Sequence, residues 1–260
     1  MRIGQLLGTG RSADVYAIDE AWVLRRYRDS SDATPELAVM SYLSACGYPV
    51  PRVGPSPATA APSDLVLQRL TGPTMLESLL SGALAEDEGG AMLAGLLTDL
   101  HTIPARVSQD PEDRILHLDL HPDNVMLTPA GPVVIDWRTT AEGPPALDRA
   151  MSSLILAQVA VDPSSPSAAG AGALLRALLP HLADQGGVPA PHLDQAKRRR
   201  AADPNLSPHE LALIDEAADL IGELADQTLG TRAGVTAAGA EIIVIPAATP
   251  GKEKAPDHEE

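Results

Sequence analysis

In the middle of the chain, His117-Leu118-Asp119-Leu120-His121-Pro122-Asp123-Asn124 is followed by Asp136, which ends the run Pro132-Val133-Val134-Ile135. Carboxylate and carboxamide oxygens at these spacings suit a hard divalent cation, and a carboxylate beside them can orient a hydroxyl, which together is what phosphoryl transfer requires. In that chemistry Asp119 aims the acceptor hydroxyl and takes its proton, while Asn124 and Asp136 hold the metal. The lesser alternative has Asp119 and Asp123 as loop caps and Asp136 as a strand terminator. A chance H-x-D-x-x-x-x-N in a chain of this length is on the order of one in a hundred, so the order of the surrounding elements has to carry the assignment.

Those elements are legible. Thr128-Pro129-Ala130-Gly131 has proline at the second and glycine at the fourth position of a type I turn, which predicts a hairpin between the strands Asn124 to Leu127 and Pro132 to Ile135. If Thr128 pairs with Gly131, Asn124 faces Ile135 and Asp136 lies at the same open end, so residues distant in sequence become neighbours able to share an ion. His117, with apolar Ile115 and Leu116 before it, is expected to pack beneath this loop and bond to backbone. His121 and Asp123 brace the loop or border the acceptor site. His101 caps or packs the helix ending at Leu100.

The N-terminal segment reads as strands at Ile3 to Leu7, Asp14 to Ile18 and Trp22 to Tyr27, with a turn at Gly8-Thr9-Gly10. Gly8-Thr9-Gly10-Arg11-Ser12-Ala13-Asp14-Val15 matches a phosphate-covering G-x-G-x-x-G-x-V loop except for Ala13 in place of the last glycine. Where that pattern has a lysine on the third strand, Val23-Leu24-Arg25-Arg26 offers arginine, a permanent cation of different reach. Thr34-Pro35-Glu36 predicts a helix over Pro35 to Ala45 with Thr34 as its hydroxyl cap. Glu36 shares a face with Met40 and Leu43, so it can point inward to pair with Arg25, or it can simply favour the helix N-terminus. Leu65 to Gln68 is a buried strand broken by Thr71-Gly72-Pro73.

Beyond that break the pattern turns helical: Met75 to Leu84, Glu88 to Leu100, Ala146 to Val159, Ala171 to Ala183, Leu193 to Ala202 and Pro208 to Leu224, the last opened by the capping box Ser207-Pro208-x-Glu210. From about Thr228 the composition becomes small, polar and charged, which predicts a poorly ordered tail with Glu241 to Ile245 as a stray strand. Cys46, the single cysteine, is expected to be a small buried hydrophobe. The formal net charge of −16 argues against nucleic acid, since the one basic run, Lys197 to Arg200, is short. Excess Asp and Glu keep an alanine-rich chain soluble, and the same field would favour a cationic small substrate. The N-terminus shows no secretory pattern and no long apolar run occurs, so a cytoplasmic protein is expected.

The lid Gly8 to Val15, the segment Leu65-Val66-Leu67-Gln68-Arg69-Leu70-Thr71-Gly72-Pro73-Thr74-Met75, the loop His117 to Asn124 and Val134-Ile135-Asp136-Trp137 together resemble the aminoglycoside phosphotransferase and choline-kinase-like branch of the protein-kinase-like fold. The resemblance implies an α+β, two-lobed molecule: a small antiparallel-sheet nucleotide-binding lobe over residues 1–71, a larger helical lobe over 72–227 carrying the catalytic loop and metal site, and a tail over 228–260. It implies ATP and Mg2+ as cofactors, with Gly8, Gly10, Ser12, Arg25, Glu36, Gln68 and Leu70 around the nucleotide and adenine on backbone groups near Gln68 to Leu70. Asp119 is then catalytic, Asn124 and Asp136 hold metal, and the acceptor is a small hydroxyl-bearing molecule, since such enzymes phosphorylate antibiotics, choline, sugars or amino acids. Arg25 leaves a second reading open, a nucleotide-binding regulatory module with little turnover. A protein kinase fits poorly, because Trp137-Arg138 follows Asp136 where those enzymes have phenylalanine and glycine.

Overall fold

The computed structural model describes the backbone of residues 3–10, 12–55 and 60–238, and side chains as far as 228. Four antiparallel strands, β1 (Leu6–Thr9), β2 (Ala13–Ala17), β3 (Trp22–Tyr27) and β4 (Asp64–Gln68), form one sheet in sequence order. Helix α1 (Thr34–Ala45) lies between β3 and β4 in the chain. The strands pair in straightforward register, with Arg25 opposite both Val15 and Leu65. Leu24 and Leu65 are both fully buried, on opposite faces of the sheet.

The remaining described chain is largely helical: α2 (Met75–Leu80), α3 (Glu86–Leu100), α4 (Pro145–Val161), α5 (Ala168–Ala183), α6 (Ala190–Ala201), α7 (Pro208–Ala212) and α8 (Ile214–Ala238). Two small ladders interrupt it, β5 (Arg114–Leu116) with β8 (Ala141–Gly143), and β6 (Val125–Thr128) with β7 (Gly131–Val134). The molecule is therefore α+β, an antiparallel sheet followed by a helical part. Helix α4 is its axis. Every residue from Ala146 to Gln158 is buried, as expected of a helix without a solvent face, because α5, α6, α8 and β5 all pack against it. No helix among the described residues is long and apolar enough to cross a membrane.

Several expectations need correction. Gly8 and Thr9 belong to strand β1, paired with Val15 and Asp14, so the turn is displaced towards Gly10, whose N–H bonds Ala13 O at 2.9 Å. Thr34 is the first residue of α1 and not its cap. Asp32 takes that task, accepting the Thr34 N–H on Oδ1 at 2.9 Å, a shorter reach to a stronger acceptor than a hydroxyl offers. Cys46 is exposed, because the helix ends at Ala45 and leaves it at the C-terminal cap. The single helix expected over Pro208 to Leu224 is interrupted at Leu213, whose N–H turns back to Glu210 O at 3.3 Å, although the Ser207–Glu210 capping box is present. Helix α8 continues past Thr228 to Ala238. The strand expected at Glu241 to Ile245 lies outside the described residues.

The segment joining sheet to helices is tied to the β6–β7 hairpin. Leu127 N–H donates to Pro73 O at 2.8 Å, and Thr74 bridges Met126. Gly72 makes this approach possible: its φ is +137°, and a Cβ there would run into the Leu127 carbonyl oxygen. Replacing Gly72→Ala imposes both a disfavoured conformation and that collision, and should destabilise the protein by roughly 2 kcal/mol or more. A urea-unfolding midpoint unchanged from the parent would refute this.

Candidate active site

Two short 3-10 turns and two irregular residues shape the loop. Pro122–Asn124 forms the first turn, with His121 as its N-cap, and Trp137–Thr139 forms the second, entered through Asp136. Leu118 and Asp136 both have left-handed backbones, φ 63° and 61°, a region that costs a non-glycine residue energy and persists where surrounding bonds enforce it.

Those bonds converge on a residue that the sequence reading passed over. Asp148, in the first turn of α4 and fully buried, accepts the His117 N–H on Oδ2 at 2.9 Å and the Leu118 N–H on Oδ1 at 2.7 Å. His101 Nε2 reaches the same carboxylate at 3.1 Å. Burial pushes the Asp148 carboxyl up, but the bond and charge of His101 and the contacts of His117 outweigh it and hold the group below its ordinary value. In sequence, an acid there reads as an ordinary helix N-terminal charge. The available signal was its setting, a lone carboxylate within the apolar run of α4.

His117 passes the constraint onward. It is fully buried, and one tautomer satisfies both of its ring contacts: Nε2–H donates to Ile135 O at 3.0 Å while Nδ1 accepts the Asp119 N–H at 3.2 Å. Asp119 and the strand leading to Asp136 are thus fastened to one imidazole. Asn124 Nδ2 donates to Asp119 O at 2.8 Å and to its Oδ2 at 3.3 Å. His121 Nε2 stands 3.8 Å from Asp119 Oδ2. The Asp119 side chain remains 29% exposed. Burial pushes its carboxyl up, but His121, then His117 and Arg200, outweigh burial and hold it ionised below the usual carboxylate range.

The hairpin has the register its turn dictates, Val125 opposite Val134 through Thr128 opposite Gly131. Ile135 N–H bonds Asn124 O at 3.0 Å, so the backbones pair at the open end and Asp136 follows directly. With the Asn124 amide nitrogen engaged by Asp119, its carbonyl oxygen is the end left for a cation, and Asp136 adds a carboxylate. This donor set of oxygens fits a hard ion such as magnesium. Among the described residues no cluster of three or more His, Cys, Asp or Glu side chains could hold a metal.

Arg25 and Glu36 do meet. Arg25 Nη1 donates to Glu36 Oε1 and Oε2 at 2.5 and 2.7 Å. The longer arginine does more than this, because Nη2 also donates to Asp136 Oδ1. Burial pulls the Arg25 pKa down, yet Glu36 and Asp136 outweigh it and raise it. Glu36 is buried too, and burial pushes its carboxyl up against the opposing charge of Arg25. It accepts from the Tyr27 hydroxyl and from the Trp137 N–H at 3.1 Å. Trp137 itself is buried edge-on against His117 and Tyr48, its Nε1–H on Val134 O at 3.0 Å.

On the lid, Gly8 has neither a left-handed φ nor any neighbour that a Cβ would touch. Gly10 lies near Ala13 O, and Ser12 O accepts the Arg28 N–H at 3.0 Å. At the end of β4, the Gln68 side chain turns to Arg52, and the N–H groups of Gln68 and Arg69 are taken by Arg52 O and Ala21 O, both at 2.8 Å. Leu70 is partly exposed beyond them.

The family model for APH, the phosphotransferase enzyme family, matches residues 4–114 and 104–169, more than half of the sequence. The chain belongs to that family. No curated protein sequence matches it. Solved phosphotransferase structures share its fold at low identity. One, from Ralstonia eutropha JMP134 and described provisionally as an aminoglycoside phosphotransferase, aligns with TM-score 0.55 and 13% identity over 86% of this chain and 93% of that one. The gentamicin–APH(2″)-IIa complex aligns with TM-score 0.51 and 15% identity over 88% and 90%. A choline/ethanolamine kinase family protein from Mesorhizobium loti aligns with TM-score 0.50 and 14% identity over 87% and 90%.

Because the folded pKa of Asp148 lies below its ordinary value of 3.8, its contribution is fully present above that value and is lost as pH falls through the folded pKa. Asp148→Asn, which sets an amide donor against a backbone N–H, should cost roughly 2–4 kcal/mol at neutral pH. It should also flatten the acid limb of stability against pH below about 4. Denaturant titrations of both proteins at several pH values would expose parallel acid limbs if Asp148 were not responsible.

Proposed function

We propose that this phosphotransferase moves the γ-phosphate of ATP, with magnesium, onto a hydroxyl of a small molecule. The observation that carries the reading is that Asn124 is bonded to Asp119 and its backbone is paired with Ile135, the residue preceding Asp136. Asp119, ionised and partly exposed, accepts the proton of the acceptor hydroxyl as that oxygen bonds phosphorus. Asn124 and Asp136 hold magnesium, which supplies charge neutralisation to the phosphates when bound. Gly8, Gly10 and Ser12 line the lid over the phosphates, Arg25 faces them from β3 with Glu36 behind it, and the backbone beyond Gln68, at Leu70, receives adenine. On this reading residues 1–71 are the nucleotide lobe and 72–227 the lobe carrying acceptor and metal, and use of ATP fits a cytoplasmic protein.

The Arg25–Asp136 ion pair favours one alternative, a module that binds nucleotide with little turnover. A guanidinium bound to Asp136 Oδ1 competes with the divalent ion for that oxygen, and arginine stays charged where a lysine could shed its proton. The two readings separate on rate. Asp119→Ala should lower acceptor-stimulated ADP release by about 10²–10⁴-fold while nucleotide binding, read by thermal shift with ADP, persists. Asp136→Ala should abolish the magnesium dependence of that shift. Wild-type protein that binds ATP and consumes none with any hydroxyl acceptor would overturn the transfer reading in favour of the module.

A further inference from the structure

Helix α4 carries a charge for which the fold supplies no counter-ion of its own. Arg149 follows Asp148 and is only 7% exposed. Its Nε donates to Gly187 O at 2.9 Å, in the loop between α5 and α6. Among the described residues no carboxylate forms an ion pair with it, and its two terminal nitrogens donate to no protein atom. Asp148 is the one opposing charge that acts on it, and both oxygens of that carboxylate already accept from His117, Leu118 and His101. Burial pulls the Arg149 pKa below the ordinary arginine value, with Asp148 opposing. A guanidinium has five N–H donors and keeps its charge, so a buried one with a single bond is destabilising until an anion joins it.

The surroundings hold further unused polar groups. Ser152 and Ser153 stand three and four residues beyond Arg149, positions that neighbour it on the helix surface. Side chains on a helix lean towards its N-terminus, which tilts both hydroxyls towards the turn of Arg149. Ser152 Oγ and Ser153 Oγ are buried without a hydrogen-bond partner, and so is His192 Nδ1. A helical serine can satisfy itself on the carbonyl four residues back, and neither of these does. His192 lies in the first turn of α6, one turn before the fully buried Ala196, and so shares the inward face of a helix that packs against α4. Buried polar atoms left over in this way call for a partner from outside the chain.

The guanidinium is also reachable. Gly186 is exposed, and a Cβ placed on it would stand 3.5 Å from Arg149 Nη2. The arginine therefore ends directly beneath a surface residue that has no side chain to cover it.

We propose that Arg149 binds a small oxyanion, a phosphate or a carboxylate, which enters past Gly186 and takes further hydrogen bonds from the buried hydroxyls of Ser152 and Ser153. The anion fastens the Gly186–Gly187 loop to α4 beside Asp148, so its binding adds to the stability of the helical part. The site uses none of Asp119, Asn124 and Asp136 and does not rest on the phosphotransferase reading.

The test follows thermal unfolding of the full chain, with magnesium and ADP present, in sodium phosphate, sulfate or acetate at about 10 mM, each against sodium chloride of equal ionic strength. At least one oxyanion should raise the melting temperature by roughly 3 °C or more over chloride. Arg149→Met should abolish that shift and yet melt no lower than the parent in chloride, because it removes an uncompensated buried charge. Arg149→Lys should keep part of the shift, and Arg198→Gln, at an exposed residue of α6, should keep all of it. Ser153→Ala should weaken the anion several-fold in a calorimetric titration. A response to phosphate and sulfate assigns a tetrahedral ligand and a response to acetate alone a carboxylate, and either supports the proposal. No shift with any oxyanion, a shift retained in Arg149→Met, or equal loss in Arg198→Gln would overturn it. Should Arg149→Met show no melting transition, Ser153→Ala decides, and an anion affinity equal to that of the parent sinks the proposal.

Discussion

A carboxylate with no access to water must find hydrogen-bond donors or be neutralised, and Asp148 finds its donors in the backbone of the loop that carries Asp119. Two successive N–H groups, from His117 and Leu118, converge on its two oxygens. The left-handed φ of Leu118 then redirects the chain immediately after the second of these amides, towards Asp119. The loop's shape therefore follows from one buried charge on α4. Everything beyond it is placed relative to that shape: Asp119 through the His117 ring, the segment leading to Asp136 through Ile135, and α6 through Thr139.

A second buried carboxylate does the corresponding work between the sheet and the hairpin. Glu36 reaches Arg25 and Tyr27 on β3 and the Trp137 backbone just past Asp136. Coupling between the two halves of the site thus runs through side chains on an ion-pair network and not through a shared strand. Arginine at position 25 alters this coupling, since its two terminal nitrogens serve Glu36 and Asp136 at once. A lysine ammonium, as a compact point charge, lacks that fork. The outcome is a direct ion-pair link between β3 and Asp136, the residue two past the end of β7.

What the sequence made legible was local or periodic. The Thr128 to Gly131 turn set the hairpin register because proline and glycine leave few backbone choices, and the helical spacing of Glu36 with Met40 and Leu43 aimed it inward. The same logic failed where two local solutions compete. A threonine before proline resembles a cap, but Asp32 reached the Thr34 amide first. The glycines of the lid resemble a turn, but strand pairing with β2 absorbed Gly8 and Thr9. Cys46 looked buried because apolar helix residues precede it, but it is the C-terminal cap of that helix and is exposed. The role of Asp148 is of another kind: its partners at His117 and Leu118 lie about thirty residues away, so its apolar setting in α4 can mark it as buried but cannot name the loop it organises.

Left-handed residues at both ends of the site give the arrangement a direction. Leu118 and Asp136 each hold a conformation that costs about 1–3 kcal/mol, and each sits where other bonds outweigh that cost: Asp148 and a fully packed side chain for Leu118, Arg25 for Asp136. Glycine at either position would relieve the strain, but it would also remove the group that the strain positions, the buried anchor in one case and the carboxylate in the other. A relaxed loop could satisfy the backbone equally well with Asp119 turned away from Asn124. The strained geometry is retained because His117 joins the two ends, Nδ1 to Asp119 and Nε2 to Ile135, so that neither residue can relax without breaking a bond made by the other.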